Sequence, residues 1–298
     1  MPSYTTQLIE KQLIHPPKWM QSNVLFEGMT GSVSYGVSND SSDMDIVGFC
    51  MPPKETIFPH LRGEIPGFGT PGERFEQFQA HHIVVPDWKK EIDLTVYGIV
   101  KFFQLCMENN PNMVDALYLP RRCVLHSTAI YEMLRDNRQQ FLHKGAWHKF
   151  RGYSFSQIAK IKGQCNSSNP KRQELIKNFG YDTKFAYHVV RLLLEVEQIL
   201  VTQELVLDNN VEILKSIREG HWTLERLLQW AQDKEKDLEK LYHSSTLRYE
   251  PNEGVIKNLL MSCIEMHYGS ISQSFAKDAS KDLLLSEMMQ VIEKHKGA

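Results

Sequence analysis

Residues 31–49 read GSVSYGVSNDSSDMDIVGF, and this stretch decides how the rest of the chain is interpreted. A glycine–serine pair opens it, and after ten further residues Asp43 and Asp45 alternate with apolar residues. Alternation with a period of two indicates a β-strand, on which both aspartates point to one face while Met44 and Ile46 turn to the interior. Two neighbouring carboxylates repel each other. The pattern therefore predicts a strand with one charged face that requires a counter-ion.

A divalent cation would relieve this repulsion. Magnesium prefers oxygen ligands and is commonly held by one or two carboxylates together with substrate phosphates. Gly31 and Ser32 supply the complementary feature, because glycine lets backbone N–H groups approach a phosphate and a serine hydroxyl can donate as well. We predict that Asp43 and Asp45 bind metal and that Gly31, Ser32 and Ser42 bind the phosphates of a nucleotide.

A third carboxylate would complete a two-metal arrangement, in which ions about 3.5–4 Å apart stabilise the attacking and leaving oxygens of an in-line displacement. The chosen residue is Asp93 in EIDLTVYG (91–98), because it lies at the end of a predicted strand beside apolar Leu94 and Val96. Asp43, Asp45 and Asp93 are thus the predicted catalytic and metal-binding residues.

The same stretch allows two other interpretations. NDSSD (39–43) also suits a polar turn in which Asp43 caps a backbone N–H group. The spacing of Asp40, Asp43 and Asp45 resembles the acidic start of an EF-hand calcium loop, but the required glycine, glutamate and flanking helices are missing. The glycine–serine pair and the apolar strand that follows favour the metal and phosphate interpretation.

Composition restricts the class of protein. The chain has 298 residues, 42% of them apolar, which is enough for a substantial core. Its 34 basic and 36 acidic residues leave it almost neutral, so it has no general attraction for nucleic acid or anionic membrane. No uncharged apolar run approaches the ~18 residues of a membrane span. The five cysteines are odd in number, widely spaced and without a C-x-x-C pair, which favours a reducing cytoplasm.

The two halves of the chain differ in periodicity. Strands are predicted at 23–29, 44–50 and 80–86, and a strand followed by a helix in 91–110, with a proline- and glycine-rich loop at 52–72. The second half is helical in pattern, at 147–163, 181–204, 209–220, 224–245 and 252–269. Adjacent His81 and His82 should face opposite sides of the third strand and so cannot share one metal. We predict a domain at 1–145 and a helical domain at 146–298.

A basic stripe lies on the longest predicted helix. Lys184, His188 and Arg191 are spaced i, i+4 and i+7, so they share one face and repel each other unless an anion lies there. A triphosphate would suit them, because lysine acts as a point charge and arginine as a fork on phosphate oxygens. The alternative is a solvated face on which Arg191 pairs with Glu195. Gln157 and Lys160 are predicted to add contacts to base or phosphate.

The glycine–serine pair, the spacing of ten residues and the D-x-D resemble the signature of the polymerase-β-type nucleotidyltransferase superfamily. LIHPPKW (13–19), residues 27–49, IVKFFQLCMENNPNMVDALYLP (99–120), FRGYSFSQIAKIKG (150–163) and GYDTKFAYHVVRLLLE (180–195) more narrowly resemble the RNA-ligase-associated nucleotidyltransferases, also found in phage genomes. The likeness runs from about residue 12 to about residue 205.

The resemblance implies an α+β fold with a small mixed β-sheet, followed by the helical region. It also implies a nucleotidyltransferase that uses two Mg²⁺ or Mn²⁺ ions and an NTP such as ATP, and that transfers NMP to a hydroxyl group with release of pyrophosphate. The RNA ligase association favours an RNA or tRNA 3′ end as acceptor, in RNA repair. Because the chain is nearly neutral, a protein or small-molecule acceptor stays open, as does a non-catalytic module that binds a nucleotide or a partner.

Overall fold

The sheet occupies the first half of the chain. The computed structural model describes residues 2–39, 43–70, 72, 74–86, 88, 91–163 and 170–269. Within them one mixed sheet has the strand order β3–β4–β2–β1–β5. The strands are β1 (Val24–Met29), β2 (Met44–Cys50), β3 (Gln77–Val84), β4 (Glu91–Gly98) and β5 (Val124–Ser127). Only β2 and β4 are parallel among the neighbouring pairs of the described residues.

Helices precede, interrupt and follow the sheet. Those of the first half are α1 (Tyr4–Glu10), α2 (Met20–Asn23), α3 (Lys54–Ile57), α4 (Ile99–Met107), α5 (Pro111–Leu117) and α6 (Ala129–Asp136). Those of the second half are α7 (Ala146–Lys162), α8 (Pro170–Phe179), α9 (Thr183–Thr202), α10 (Val211–Arg218), α11 (Leu224–Ser244) and α12 (Glu253–Tyr268). Short 3-10 helices span Gly31–Val33, Pro59–Arg62, Arg121–Cys123 and Arg138–Phe141.

The predicted α+β class is confirmed, with a mixed sheet and a helical C-terminal region. The predicted strands at 23–29 and 44–50 match β1 and β2 almost residue for residue, because each is an apolar run bounded by turn residues. The predicted loop at 52–72 contains α3 and the 3-10 helix Pro59–Arg62. These single turns follow Pro53 and Phe58 and are too short to give a helical periodicity in the sequence.

The two faces of the sheet pack against different hydrophobic cores. Even-numbered residues of β2 and β4, such as Ile46 and Leu94, pack with Leu8 of α1 in a small core. Odd-numbered residues, such as Phe49 and Tyr97, contact a larger core formed with the helices of both halves. Asp43, Asp45 and Asp93 are odd-numbered and precede these apolar residues along the strands. The carboxylates therefore lie at the N-terminal end of the face that meets the helical half.

The larger core is continuous across residue 145, where we predicted a domain boundary. It joins Phe26 and Phe102 of the first half to Trp147, Val189 and Cys263 of the second. The boundary itself stays a prediction. Among the described residues, no helix is both long and apolar enough to cross a bilayer.

Candidate functional site

Three carboxylates meet on one face of the sheet. In the parallel register of β2 and β4, Asp45 lies directly beside Asp93, and both side chains leave the same face. Asp43 precedes Asp45 by two residues, on the last described position before β2. Each of the three side chains is half-buried. Parallel pairing of strands that are far apart in sequence thus brings Asp93 to the D-x-D pair.

The electrostatic effect of this arrangement is concentrated on Asp45. The pKa of its carboxyl group is raised to about 6, chiefly by burial and then by the negative charges of Asp93 and Asp43, while Lys184 opposes the shift. An added cation would favour the ionised form of the group. The site is therefore electrostatically incomplete without positive charge.

A β-bulge in β3 orients Asp93. The register between β3 and β4 shifts between Ala80 and Ile83, and His82 has a positive φ of 56°. The backbone N–H of His82 donates to Asp93 Oδ1 at 2.9 Å, and His81 Nδ1 lies 3.5 Å from the same oxygen. The His82 ring contacts Glu91, which is on the same face of β4 as Asp93. The prediction that the two histidines face opposite sides is wrong, because the bulge breaks the alternation.

The turn after β1 presses against Asp45. Gly31 has φ +68°, and a Cβ atom added there would lie 2.4 Å from Asp45 Oδ2. The N–H of Thr30 donates to the backbone carbonyl of Asp45 at 2.9 Å. Only glycine accommodates both the backbone conformation and this approach. The predicted phosphate-binding residues Gly31 and Ser32 consequently lie next to the carboxylates.

A buried ionic cluster anchors the segment that follows this turn. The Tyr35 hydroxyl donates to Asp115 Oδ2 at 2.5 Å, and Arg191 Nη1 donates to the same oxygen at 2.7 Å. Arg191 also donates to Glu195 at 2.8 Å. Burial raises the pKa of Glu195 to about 8, against the effect of the neighbouring guanidinium. The cluster therefore connects the Gly31–Ser32 turn to α5 and α9.

Arg191 departs from the sequence prediction. Its side chain is only 5% exposed and lies between the carboxylates of Asp115 and Glu195. A guanidinium bound by two buried carboxylates has its charge already neutralised. The structure thus makes Arg191 an internal support of the turn rather than a phosphate ligand, and it replaces the predicted solvated pair with a buried one.

Two other arginines hold the same segment. Arg122 donates to the carbonyl oxygens of Val33 and Ser34, each at 3.3 Å, and pairs with Asp208 at 2.8 Å. Arg218 of α10 donates to the carbonyl oxygen of Val37. The segment between β1 and the D-x-D is therefore held from both halves of the chain, by Arg122 of the first and Arg218 of the second.

Lys184 of α9 lies near the carboxylates, and His188 follows it by one helical turn. Lys184 is exposed in the first turn of the helix, close enough to Asp45 to oppose its pKa shift. The pKa of His188 is well below its usual range, first because of burial and then because of the positive charges of Arg191, Lys184, Arg172 and Arg218. His188 is therefore a neutral imidazole in a positive environment. As a phosphate contact it could act only through a hydrogen bond.

The remaining predicted site residues are less closely tied to the carboxylates. Lys160 is exposed on α7, with Nζ 5.4 Å from the ring centre of Phe185, while the Arg172 guanidinium lies 3.8 Å from that ring. Gln157 is half-buried one turn earlier on α7. Ser42 lies outside the described residues. Lys160 thus lies near the Phe185 ring together with Arg172, whereas Gln157 has no contact among the described residues that assigns it a role.

No three His, Cys, Asp or Glu side chains among the described residues form a ready-made metal cage. Mg²⁺ is usually bound by one or two carboxylates plus substrate phosphates and water. The donor set of Asp43, Asp45 and Asp93 has the right chemistry, since all its ligand atoms are hard carboxylate oxygens. The raised pKa of Asp45 shows that positive charge would be favoured at this place.

Residues 6–249 match the RNA repair pathway DNA polymerase beta family. The chain belongs to this family. Membership in the RNA repair pathway DNA polymerase beta family makes the chain a polymerase-beta-like nucleotidyltransferase, and hence a transferase. The match confirms the resemblance to polymerase-β-type nucleotidyltransferases that was inferred from the sequence. The match also extends about 45 residues beyond residue 205, where the likeness recognised from motifs ended.

The other comparisons add less. A nucleotidyltransferase-like protein from Exiguobacterium sibiricum 255-15, known from a crystal structure, aligns over 91% of this chain and 75% of its own at 11% identity, with a TM-score of 0.30. No curated protein matches the chain. The family assignment therefore rests on the sequence match over residues 6–249.

Sequence reasoning missed the residues that support the site. Tyr35 and Asp115 are 80 residues apart, and Arg218 lies far from Val37 in the chain. Nothing local in the sequence relates them. Only the i, i+4 spacing of Arg191 and Glu195 gave a signal, and it was interpreted as a surface pair.

Proposed function

We propose that this protein transfers a nucleoside monophosphate from an NTP to a hydroxyl group, releasing pyrophosphate, and that the favoured acceptor is the 3′ end of an RNA. The observation that carries the proposal is the position of Asp43, Asp45 and Asp93 on one sheet face, with Gly31 against Asp45. This combination of clustered carboxylates and a glycine turn suits metal-bound phosphates.

Asp43, Asp45 and Asp93 would hold two Mg²⁺ or Mn²⁺ ions. Bound metal would stabilise the charge on the transferring phosphates and lower the pKa of the acceptor hydroxyl. Gly31 and Ser32 would offer N–H and O–H donors to the outer phosphates. The half-buried environment of Asp45 strengthens the attraction for a cation relative to a fully solvated carboxylate.

The chemical step is an in-line displacement. The acceptor oxygen forms a bond to the α-phosphorus while the bond from that phosphorus to the bridging oxygen of the β-phosphate breaks. The proton of the acceptor hydroxyl passes to the carboxylate of Asp93, which the N–H of His82 holds in place through Oδ1. Lys184 offsets the charge that accumulates on pyrophosphate.

The description of the family names an RNA repair pathway, and this supports RNA as the acceptor. The near-neutral composition limits the area over which RNA could be bound by charge alone. A short contact at the 3′ end satisfies both considerations. A protein or small-molecule acceptor would instead be recognised without an extended basic surface.

The direct test is incubation with each α-labelled NTP, Mg²⁺ or Mn²⁺, and RNA that ends in a 3′-hydroxyl or a 3′-phosphate. The inactive variant is Asp43→Ala with Asp45→Ala, and the matched control is Asp136→Ala, at an exposed aspartate that ends α6. We expect label on the 3′-hydroxyl RNA only, with the wild type and the control. Label on protein or on a small molecule from cell extract would replace RNA as the acceptor.

A binding module without catalysis predicts another result. Neither the wild type nor the double variant would then transfer label to any fraction. Thermal stabilisation by NTP would be equal for the two proteins. Stabilisation by NTP that requires Mg²⁺ and both aspartates would support the catalytic proposal.

A further inference from the structure

A basic pocket adjoins the candidate site through Lys184, which lines it. Its volume is about 260 Å³, and the segment after the glycine turn, the start of α9 and the end of α10 enclose it. The lining residues that matter here are Ser38, Asn39, Thr183, Lys184, Lys215 and Arg218. No residue of this pocket except Lys184 was singled out from the sequence.

The charge of the lining is unbalanced. Lys184, Lys215 and Arg218 face a single carboxylate, that of Glu219. Among the described residues, Lys215 has no ion pair and the Arg218 guanidinium donates one hydrogen bond, to the carbonyl of Val37. Lysines of α11 behave differently, since Lys236 pairs with Asp233. Three cations around one concave space repel each other unless an anion occupies it.

The Arg218 guanidinium is held in place at this pocket. Its carbon lies 5.3 Å from the ring centre of Tyr187, and its bond to Val37 fixes one edge. A planar guanidinium fixed in this way loses little conformational entropy when it binds phosphate oxygens. The hydroxyl of Thr183 and the polar groups of Ser38 and Asn39 surround the same space.

The pocket is continuous with the candidate site in two respects. Lys184 lines the pocket and also acts on Asp45. The segment of Ser38 and Asn39 is tied to the glycine turn by the hydrogen bond from Val37 N–H to the Ser32 carbonyl, at 2.9 Å. A phosphate chain that extends from the carboxylates past Lys184 would therefore enter the pocket.

We propose that this pocket binds the outer phosphates of the NTP, with Lys215 and Arg218 as the residues that distinguish a triphosphate from a monophosphate. The inference rests on the proposed function, because it takes its substrate from the nucleotide bound there. It implies that the released pyrophosphate is held by Lys184, Lys215 and Arg218 before it leaves. It also implies that the helical half selects the number of phosphates through α10.

The test measures binding by calorimetry with Mg²⁺ present. The ligands are inorganic triphosphate, the NTP that binds most tightly and its NMP, and the proteins are wild type, Lys215→Gln and the control Lys236→Gln. Loss of one charge-assisted phosphate contact weakens binding by about tenfold. We expect that loss for triphosphate and NTP with Lys215→Gln, less than twofold for NMP, and no change with the control.

A second variant, which should gain affinity, excludes misfolding as the cause of a change in binding. Glu219→Gln removes the one carboxylate of the pocket and should tighten the binding of inorganic triphosphate about threefold, by removing a like-charge repulsion. A damaged fold could not produce a gain. An unchanged affinity in both Lys215→Gln and Glu219→Gln would overturn the proposal.

Other outcomes point to other occupants. Equal losses for NTP and NMP with Lys215→Gln would place the nucleoside in the pocket, and a loss for an RNA oligonucleotide alone would place an acceptor phosphate there; either result overturns the proposal. The transfer assay tests the proposed reaction separately from the phosphate pocket. Triphosphate binding that depends on Lys215 without any transfer would keep the phosphate pocket and reject the reaction, whereas transfer with unaltered binding would reject the pocket alone.

Discussion

At the scale of single residues, the ionised carboxylate of Asp45 lowers the stability of the folded protein. Asp45 is half-buried beside Asp93 and Asp43, and its pKa is raised to about 6. A folded-state pKa above the ordinary carboxyl value means that the folded protein binds this proton more tightly than the unfolded chain does. Stability is therefore lost as the pH rises through about 6. Such a group suits a function that supplies a cation, not a structural role.

Asp45→Asn should raise the free energy of unfolding in EDTA at pH 7.5 by up to about 2 kcal/mol, a value reduced for the partial exposure of the side chain. The gain should shrink at pH 5, where the wild-type carboxyl is mostly protonated. Thermal or urea unfolding at both pH values checks this. Mg²⁺ should stabilise the wild type more than the variant, and a variant that is less stable than the wild type at pH 7.5 would contradict the prediction.

Gly31 provides a second test at this scale. Gly31→Ala places a Cβ atom 2.4 Å from Asp45 Oδ2 in a backbone with φ +68°. We expect a loss of about 1–2 kcal/mol from the left-handed conformation alone, with weaker binding of Mg²⁺ and triphosphate. The control is Gly152→Ala in α7, where a Cβ meets open space, and it should add up to about 1 kcal/mol. Equal effects of the two substitutions on urea unfolding would argue against the close approach.

At the scale of elements, the segment between β1 and β2 is positioned by helices. Tyr35, Arg122 and Arg218 connect it to α5, α9 and α10 through hydrogen bonds and the buried carboxylate of Asp115. Its own short 3-10 helix, Gly31–Val33, could not hold it. Elements of both halves therefore set the geometry of the turn that we propose binds phosphate.

Arg191→Met tests the support of this segment. It leaves Asp115 and Glu195 buried without their cation, which typically lowers the free energy of unfolding by about 3–5 kcal/mol. The control is Arg121→Met, which breaks an exposed pair with Glu132 and should change stability by less than about 1 kcal/mol. Urea unfolding at pH 7.5 measures both.

The loss caused by Arg191→Met should be smaller at pH 5, because the two carboxyl groups then bind protons more readily. A stable Arg191→Met protein with weakened triphosphate binding would instead return Arg191 to the phosphate role that its spacing first suggested.

At the scale of the whole molecule, the two predicted domains share one large core. Residues on both sides of residue 145 belong to it, and the hydroxyl of Tyr268 in α12 donates to the carbonyl of Pro52 after β2. Burial of a common apolar surface links the unfolding of the two halves. Any motion that closes the site must occur without separating this core.

We therefore expect one cooperative unfolding transition in urea. Trp19 and Trp88 pack in the small core beside the sheet, whereas Trp222 and Trp230 lie together in the helical half, with ring centres 5.8 Å apart. A variant with Trp147→Phe, Trp222→Phe and Trp230→Phe keeps only the two tryptophans of the small core, and it should show the same midpoint by fluorescence as by far-UV circular dichroism. Two separated transitions would show that the halves unfold independently.

The strands and helices of this protein could be predicted from local sequence patterns, and the family could be recognised from local motifs. Asp43 and Asp45 could be placed on one face because alternation in a strand is a property of neighbouring residues. Asp93 could be chosen as their partner through its strand context. Its position beside Asp45, however, comes from the parallel pairing of β2 and β4. The bulge at His81 and His82 could not be predicted, since it depends on the register with β4.

The sequence by itself determined the α+β class, the D-x-D strand, the glycine turn and the helical second half, because each depends on residues close together in the chain. Tertiary structure alone decided that Arg191 is buried against Asp115 and Glu195, and that Lys215 and Arg218 join Lys184 around one pocket. The physical reason is that charge and burial depend on which distant elements pack together. A basic residue has the same local pattern on a helix whether it meets water, a buried carboxylate or a phosphate.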